Sequence, residues 1–327
     1  MRSISKSIFR PTLVLVAALA LLCGAGVARA QDISGGAGGL VVRRPDDPKI
    51  RRGSSSSSAS LRKENAIERA NVARRAATPR FTEAEEQYRL AASLDPQDPR
   101  PHAGLGNIFN DRQRYEQAVE EYKKAIAIDP SYVEAYFPLG YAYIRLKRFT
   151  EAAEVYSQLI KLRPDYAEAY NNLGYIHNQA GNYEEAIAAG REVLRLVPES
   201  GQSYMQEYQT KFDLLSQTHK NMGNAYRQLG KFPEAIESLK NAVRLDPKSA
   251  AALFNLGAAY HEAGRYAEAA EAYKETLKVR PGLAQAHYNL GLAYLAARDK
   301  AAAREQYEIL KAIDQNLAGD LLAFINR

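Results

Sequence analysis

Asparagine stands two places before a glycine four times, at Asn172, Asn221, Asn255 and Asn289. A carboxamide carries both a donor and an acceptor, so a row of them suits the backbone of an extended peptide whatever its side chains. A second reading stays open, in which each amide only meets water. The remaining chemistry-bearing residues point away from catalysis. Glu85-Glu86 and Glu184-Glu185 fall where helical patterns begin, and there carboxylates complement the helix dipole. There is neither a phosphate-binding Gly-rich loop with Lys nor a Gly-x-Ser-x-Gly elbow. The single cysteine, Cys23, lies in an N-terminal apolar run.

What must position the asparagines is a repeat. Proline closes a helical pattern at Pro96, Pro130, Pro164, Pro198, Pro247 and Pro281, at intervals of 34 residues with one interval of 49. Such a period is settled before any other reading of the fold. Aligned on these prolines, units start at 65, 99, 133, 167, 216, 250 and 284. Position eight is then Gly106, Gly140, Gly174, Gly223, Gly257 or Gly291, and position twenty is alanine throughout. Position seventeen is Phe81, Tyr115, Phe149, Tyr183, Phe232 or Tyr266.

These positions resemble the tetratricopeptide repeat family over residues 65–317. The first unit is degenerate in its first helix, and the last has Lys300 and Gln315 for the aromatic and the proline. The resemblance implies an all-α, right-handed α-solenoid of about seven helix-turn-helix units with a C-terminal capping helix. Each unit pairs helix A with helix B. Small residues at positions eight and twenty allow close approach, and glycine at 181, 230 and 264 relieves the turn. Leu139, Leu173 and Leu256 are core residues of the stack. Ser131-x-x-Glu134 and Asp165-x-x-Glu168 read as capping boxes. Residues 201–215 are expected to lengthen helix A of the fifth unit by about four turns, and Leu321, Leu322 and Ile325 to face inward from a cap over 318–327.

In this family the A helices form a concave wall that binds extended peptides. The wall positions carry Asn107, Asn110 and Asp111; Phe137, Tyr141, Ile144 and Arg145; and Asn171, Asn172, Tyr175, Asn178 and Gln179. Further along come Lys220, Asn221, Asn224, Arg227 and Gln228, then Phe254, Asn255, His261, Tyr288 and Asn289. The recurrent asparagine is similar to the ladder in the repeat domain of eukaryotic O-GlcNAc transferases, broken here by Gly104 and Pro138. Pro138 also removes a helical N–H and is expected to kink its helix. Lys220, Asn224 and Asn255 match three of five positions of the carboxylate clamp of chaperone-binding members. Gln285 and Asn289 replace its remaining cations, leaving a weaker preference for acidic ends near Lys220 and Arg227. His102, His219 and His287 share position four, a packing slot, and His177 takes an aromatic one. Residues repeated at one slot spread along a stack, so no metal or cofactor is expected.

Outside the repeats, residues 1–30 have the positive start, apolar run and Ala28-Arg29-Ala30 ending of a secretory signal, with cleavage after Ala30. An uncleaved membrane anchor is the alternative. Residues 31–60, rich in Gly, Ser and Arg, read as a disordered tether, and residues 61–327 as the repeat domain. Residues 1–80 hold fifteen Lys/Arg against five Asp/Glu, while the rest holds twenty-nine against thirty-three. The body is mildly acidic, which argues against a nucleic-acid partner. The reading is a non-enzymatic scaffold, exported to the periplasm or secreted, that binds other proteins or extended peptides. Two alternatives stand beside it. One is an envelope assembly factor whose basic tether, with Arg43, Arg44, Lys49, Arg51 and Arg52, contacts anionic lipid or polymer. The other is a regulatory subunit of a separate enzyme.

Overall fold

The computed structural model describes residues 58–199 and 205–327, the side chains of 205–209 excepted. The export signal, the tether up to residue 57 and the start of the insert lie outside the described residues.

Every B helix begins on position seventeen and runs fourteen residues; in the first six an aromatic stands there and the chain then meets a proline at position thirty-two, while the last has Lys300 and Gln315. Numbered along the chain, the helices are α1 (Ser58–Arg75), α2 (Phe81–Leu94), α3 (Pro99–Asp111), α4 (Tyr115–Ile128), α5 (Tyr136–Arg145), α6 (Phe149–Leu162), α7 (Ala167–Ala180) and α8 (Tyr183–Leu196). They continue as α9 (Met205–Gln228), α10 (Phe232–Leu245), α11 (Ala250–Glu262), α12 (Tyr266–Val279), α13 (Ala284–Ala296), α14 (Lys300–Ile313) and α15 (Gln315–Ile325). Odd numbers to α13 are A helices, even numbers are B helices, and α15 is the cap. The fold is all-α, built of paired helices stacked in sequence. It divides into two compact units between Val197 and Pro198, the first holding α1–α8 and the second α9–α15.

Six of the seven A-to-B turns use one left-handed residue at position fifteen; the first has Pro79 there. Gly181, Gly230 and Gly264 supply it with φ of 80°, 71° and 75°, while Gln113, Lys147 and Arg298 take the same conformation at 59°, 59° and 64°. The following N–H then closes on the carbonyl of position eleven, as in Arg114 to Phe109 at 2.8 Å and Asn182 to His177 at 2.8 Å.

At position twenty-four, Tyr88, Tyr122, Tyr156 and Tyr273 are buried in the core. The missing side chain at position eight is what admits the ring: a Cβ on Gly106 would lie 2.6 Å from Tyr122, and one on Gly140 2.6 Å from Tyr156. In the fourth repeat that tyrosine is replaced by Gly190.

The junctions differ from the expected capping boxes. Asp129 Oδ1 accepts from the Ser131 amide at 2.8 Å and its hydroxyl at 2.7 Å, so Ser131 is consumed in an Asx turn and caps no helix. Asp95 and Asp246 make the same turn with the Gln97 and Lys248 amides. Asp165 makes no side-chain cap either, since α7 starts beyond Tyr166. A 3-10 turn over Val133–Ala135 precedes α5 and leaves Pro138 in its first turn, where its missing N–H removes no helical bond. Ser58, Ala59 and Ser60, assigned by composition to the tether, already belong to α1. α9 begins at Met205, so it precedes position 216 by about three turns. In the cap, Leu321 and Ile325 are fully buried and Ala318 joins them, whereas Leu322 is only half-buried.

Candidate functional site

Within each unit, neighbouring A helices touch one another: α1 with α3 and α3 with α5 in the first, α9 with α11 and α11 with α13 in the second. No two neighbouring B helices among the described residues make comparable contact. The A helices therefore form the tighter, inner side of each stack, and their outward-facing side chains form a wall.

In the first unit, the wall runs over α3, α5 and α7. Asn107, Tyr141, Asn172, Tyr175 and Asn178 are half-exposed there, as expected of wall residues. Several are also fastened. The Tyr122 hydroxyl donates to Asn107 Oδ1 at 2.9 Å and accepts from Asn110 Nδ2 at 3.0 Å. Asn172 Nδ2 donates to the Tyr156 hydroxyl of the preceding repeat at 2.9 Å. The Tyr141 ring meets Tyr115 edge-on at 6.4 Å, and Tyr175 meets Phe149 at 6.3 Å. Arg145 is exposed; its Nη1 donates to the Tyr141 hydroxyl at 2.8 Å, and its guanidinium carbon lies 4.6 Å from the Tyr115 ring centre. Asn171 is buried at 6 % exposure, and Ile144 is buried too, so neither lines the wall.

In the second unit, Lys220, Asn221 and Asn224 are half-exposed. Gln228 is exposed and His261 half-exposed, but Arg227, Phe254, Asn255, Tyr288 and Asn289 are buried. Phe254 and Tyr288 are core residues, the Phe254 ring lying 5.6 Å from that of Tyr273. Where position five is phenylalanine, at Phe137 and Phe254, it meets the ring that fills its own hairpin. Asn255 and Asn289 are 6 % and 2 % exposed, and Asn289 Oδ1 accepts from Gln285 Nε2 at 3.3 Å. Arg227 is 4 % exposed and paired: Nη1 donates to Glu262 Oε1 at 2.6 Å and Nη2 to Asn224 Oδ1 at 3.1 Å, while its buried Nε has no partner. Its charge is neutralised from the next A helix, so it offers little to an acidic peptide end.

The recurrent asparagines thus form no continuous exposed row: Asn172 and Asn221 are half-exposed, and Asn255 and Asn289 are buried. At Asn172 the amide fastens one hairpin to the next. The signal in the sequence was the tyrosine sixteen residues earlier, at 156 and 273.

Position four likewise serves the junction. Tyr136 donates its hydroxyl to the Pro130 carbonyl at 2.6 Å, and His287 Nε2 meets the Pro281 carbonyl at 2.9 Å while Nδ1 meets Gln306 at 2.8 Å. His102 pairs with Glu121 at 2.7 Å. His261 packs edge-on against Tyr266 at 5.3 Å, and burial lowers its pKa. Among the described residues no group of three His, Cys, Asp or Glu side chains is gathered as a metal site.

Comparison with known proteins agrees with this architecture. A family model described as "TPR repeat" matches residues 106–147, 223–264 and 259–297. Two described as "Tetratricopeptide repeat" match 137–201 and 284–316. No curated protein matches the sequence. Among solved structures, a tetratricopeptide repeat protein from Parabacteroides merdae is 17% identical, with a TM-score of 0.56 over 82% of this chain and 100% of that one. PilW, a type IV pilus biogenesis factor, is 23% identical, with a TM-score of 0.56 over 65% of this chain and 92% of its own. YrrB, described as having an unusual peptide-binding site, is 19% identical, with a TM-score of 0.50 over 62% and 97%.

Proposed function

This chain belongs to the tetratricopeptide repeat family, and on that premise we propose that it is an exported, non-enzymatic scaffold that holds extended segments of partner proteins against its A-helix walls. The observation that carries the reading is the contrast within the first unit's wall. Tyr141, Tyr175, Asn172 and Asn178 stay half-exposed although the same helices bury a core on their other side. Aromatic rings and amides at that exposure can cover an extended chain and meet its peptide groups. The likeness to PilW and YrrB supports the fold, and the wall chemistry supports the function.

The test is a paired substitution. Tyr141→Ala with Tyr175→Ala should lower recovery of the partner captured by the unaltered chain at least about tenfold, with the helical signal retained. Undiminished recovery would remove the reading.

Export rests on the sequence of residues 1–30, and the tether then gives the repeats reach from their point of release. Intact-mass measurement of the exported protein should place the mature N-terminus at Gln31. Retention of residues 1–30 would favour the membrane-anchored form instead.

A further inference from the structure

Three arginines of the described chain stack on tyrosine with their guanidinium carbons less than 5 Å from the ring centre. Arg148 lies 4.8 Å from Tyr143, Arg265 lies 4.7 Å from Tyr260, and Arg145 lies 4.6 Å from Tyr115 with Tyr141 at 5.8 Å. The first two are answered by an acid three residues on. Arg148 reaches Glu151 at 2.6 Å and Arg265 reaches Glu268 at 2.6 Å. Arg145 has no carboxylate within ion-pair distance among the described residues. Asp111, the acid at the same position one repeat earlier, is already held by Arg74 Nε at 2.7 Å. The chain thus supplies an acid to two of its stacked arginines and leaves the third, on the wall, with only a phenol.

We infer that Arg145, held by Tyr115 and Tyr141, is a carboxylate-recognition point for an acidic partner segment. The inference rests on the wall reading above and adds the chemistry of what the wall selects. A guanidinium presents five N–H donors in one plane, and Arg145 gives one to the Tyr141 hydroxyl. The tyrosine rings restrict its side-chain freedom, so less entropy is lost when it meets a ligand. Its remaining in-plane donors match the two oxygens of a carboxylate. The second unit lacks such a point at Arg227, whose charge Glu262 already neutralises. Of the two wall arginines, only the one in the first unit is left for an acid.

The test uses random dodecamer peptides displayed on phage and selected against the full exported chain. Selected sequences should share an Asp, a Glu or a free C-terminus at a fixed place. The corresponding synthetic peptides should lose about tenfold in affinity on Arg145→Gln, less on Arg145→Lys, and an intermediate amount on Tyr115→Leu. Amidating the peptide C-terminus separates a terminal carboxylate from a side-chain one, and either source satisfies the inference. Selected peptides without a shared carboxylate, or equal binding by Arg145→Gln, would overturn it while leaving the wall reading intact. Failure to enrich any peptide would remove the wall reading and this inference with it.

Discussion

Asn172 Nδ2 donates a 2.9 Å hydrogen bond to the hydroxyl of Tyr156, joining the A helix of one repeat to the B helix of the repeat before it. Tyr156 is fully buried, and burial pushes its phenol well above the ordinary range despite that bond. Removing the amide leaves a buried hydroxyl without its donor. Asn172→Ala should therefore lower stability by about 1–2 kcal/mol in urea titrations. Tyr156→Phe in the same chain should recover part of that loss. Strict additivity of the two changes would contradict a direct tie.

The turns predict gains. Gln113, Lys147 and Arg298 hold the left-handed conformation that Gly181, Gly230 and Gly264 hold freely. A side chain there costs about 1 kcal/mol, partly offset by the greater unfolded-state freedom of glycine. Gln113→Gly, Lys147→Gly and Arg298→Gly should each stabilise the fold by roughly 0.5 kcal/mol and so raise the melting temperature. Gly181→Ala should lower it, and scanning calorimetry reads both directions.

At position eight the same replacement has two outcomes. Gly140→Ala drives a Cβ to 2.6 Å from the Tyr156 ring, and the overpacking should cost about 1–3 kcal/mol. Gly174→Ala meets only the Ala186 carbonyl oxygen at 3.3 Å and the Ala189 Cβ at 3.7 Å, because Gly190 stands where the ring would be. Its helix-propensity gain of about 1 kcal/mol should make it close to neutral. Equal losses at the two sites would show that the tyrosine is not what the glycine accommodates.

Acid should loosen the first repeats. Burial alone would raise the Asp98 carboxyl, but the Arg100 guanidinium and amide and the Lys63 ammonium prevail and bring its pKa down to about 2. Arg100 Nη2 lies 2.6 Å away and Lys63 Nζ 3.1 Å away. A depressed carboxyl contributes its stability above the unfolded value of about 4 and loses it as pH falls toward about 2. After solvent screening the contribution is about 1 kcal/mol. Asp98→Asn should flatten the fall in melting temperature across that window.

The helix pairs were legible because the pattern is covalently periodic. Proline at position thirty-two, the aromatic at seventeen and alanine at twenty mark where the first six B helices start and stop. Less was legible at the wall. Position alone placed Phe254, Tyr288, Asn255 and Asn289 on a binding surface, but all four are buried, Phe254 and Asn289 against Tyr273. The capping boxes failed for a local reason. Asp129, before Pro130, takes the Ser131 amide before the helix can, and at Asp165 the helix starts one residue too late, beyond Tyr166. Arg145 was visible as a wall residue. Its lack of an acid partner was not, since Asp111 looks available until Arg74 is folded against it.

The most direct measurement is a photo-crosslinking comparison on the exported chain. A benzophenone amino acid is placed in turn at Tyr175 on α7 and at Glu154, exposed on α6. Adducts to the captured partner should form from position 175 and be absent from 154. Adducts from 154 alone would place the partner on the outer face and contradict the account.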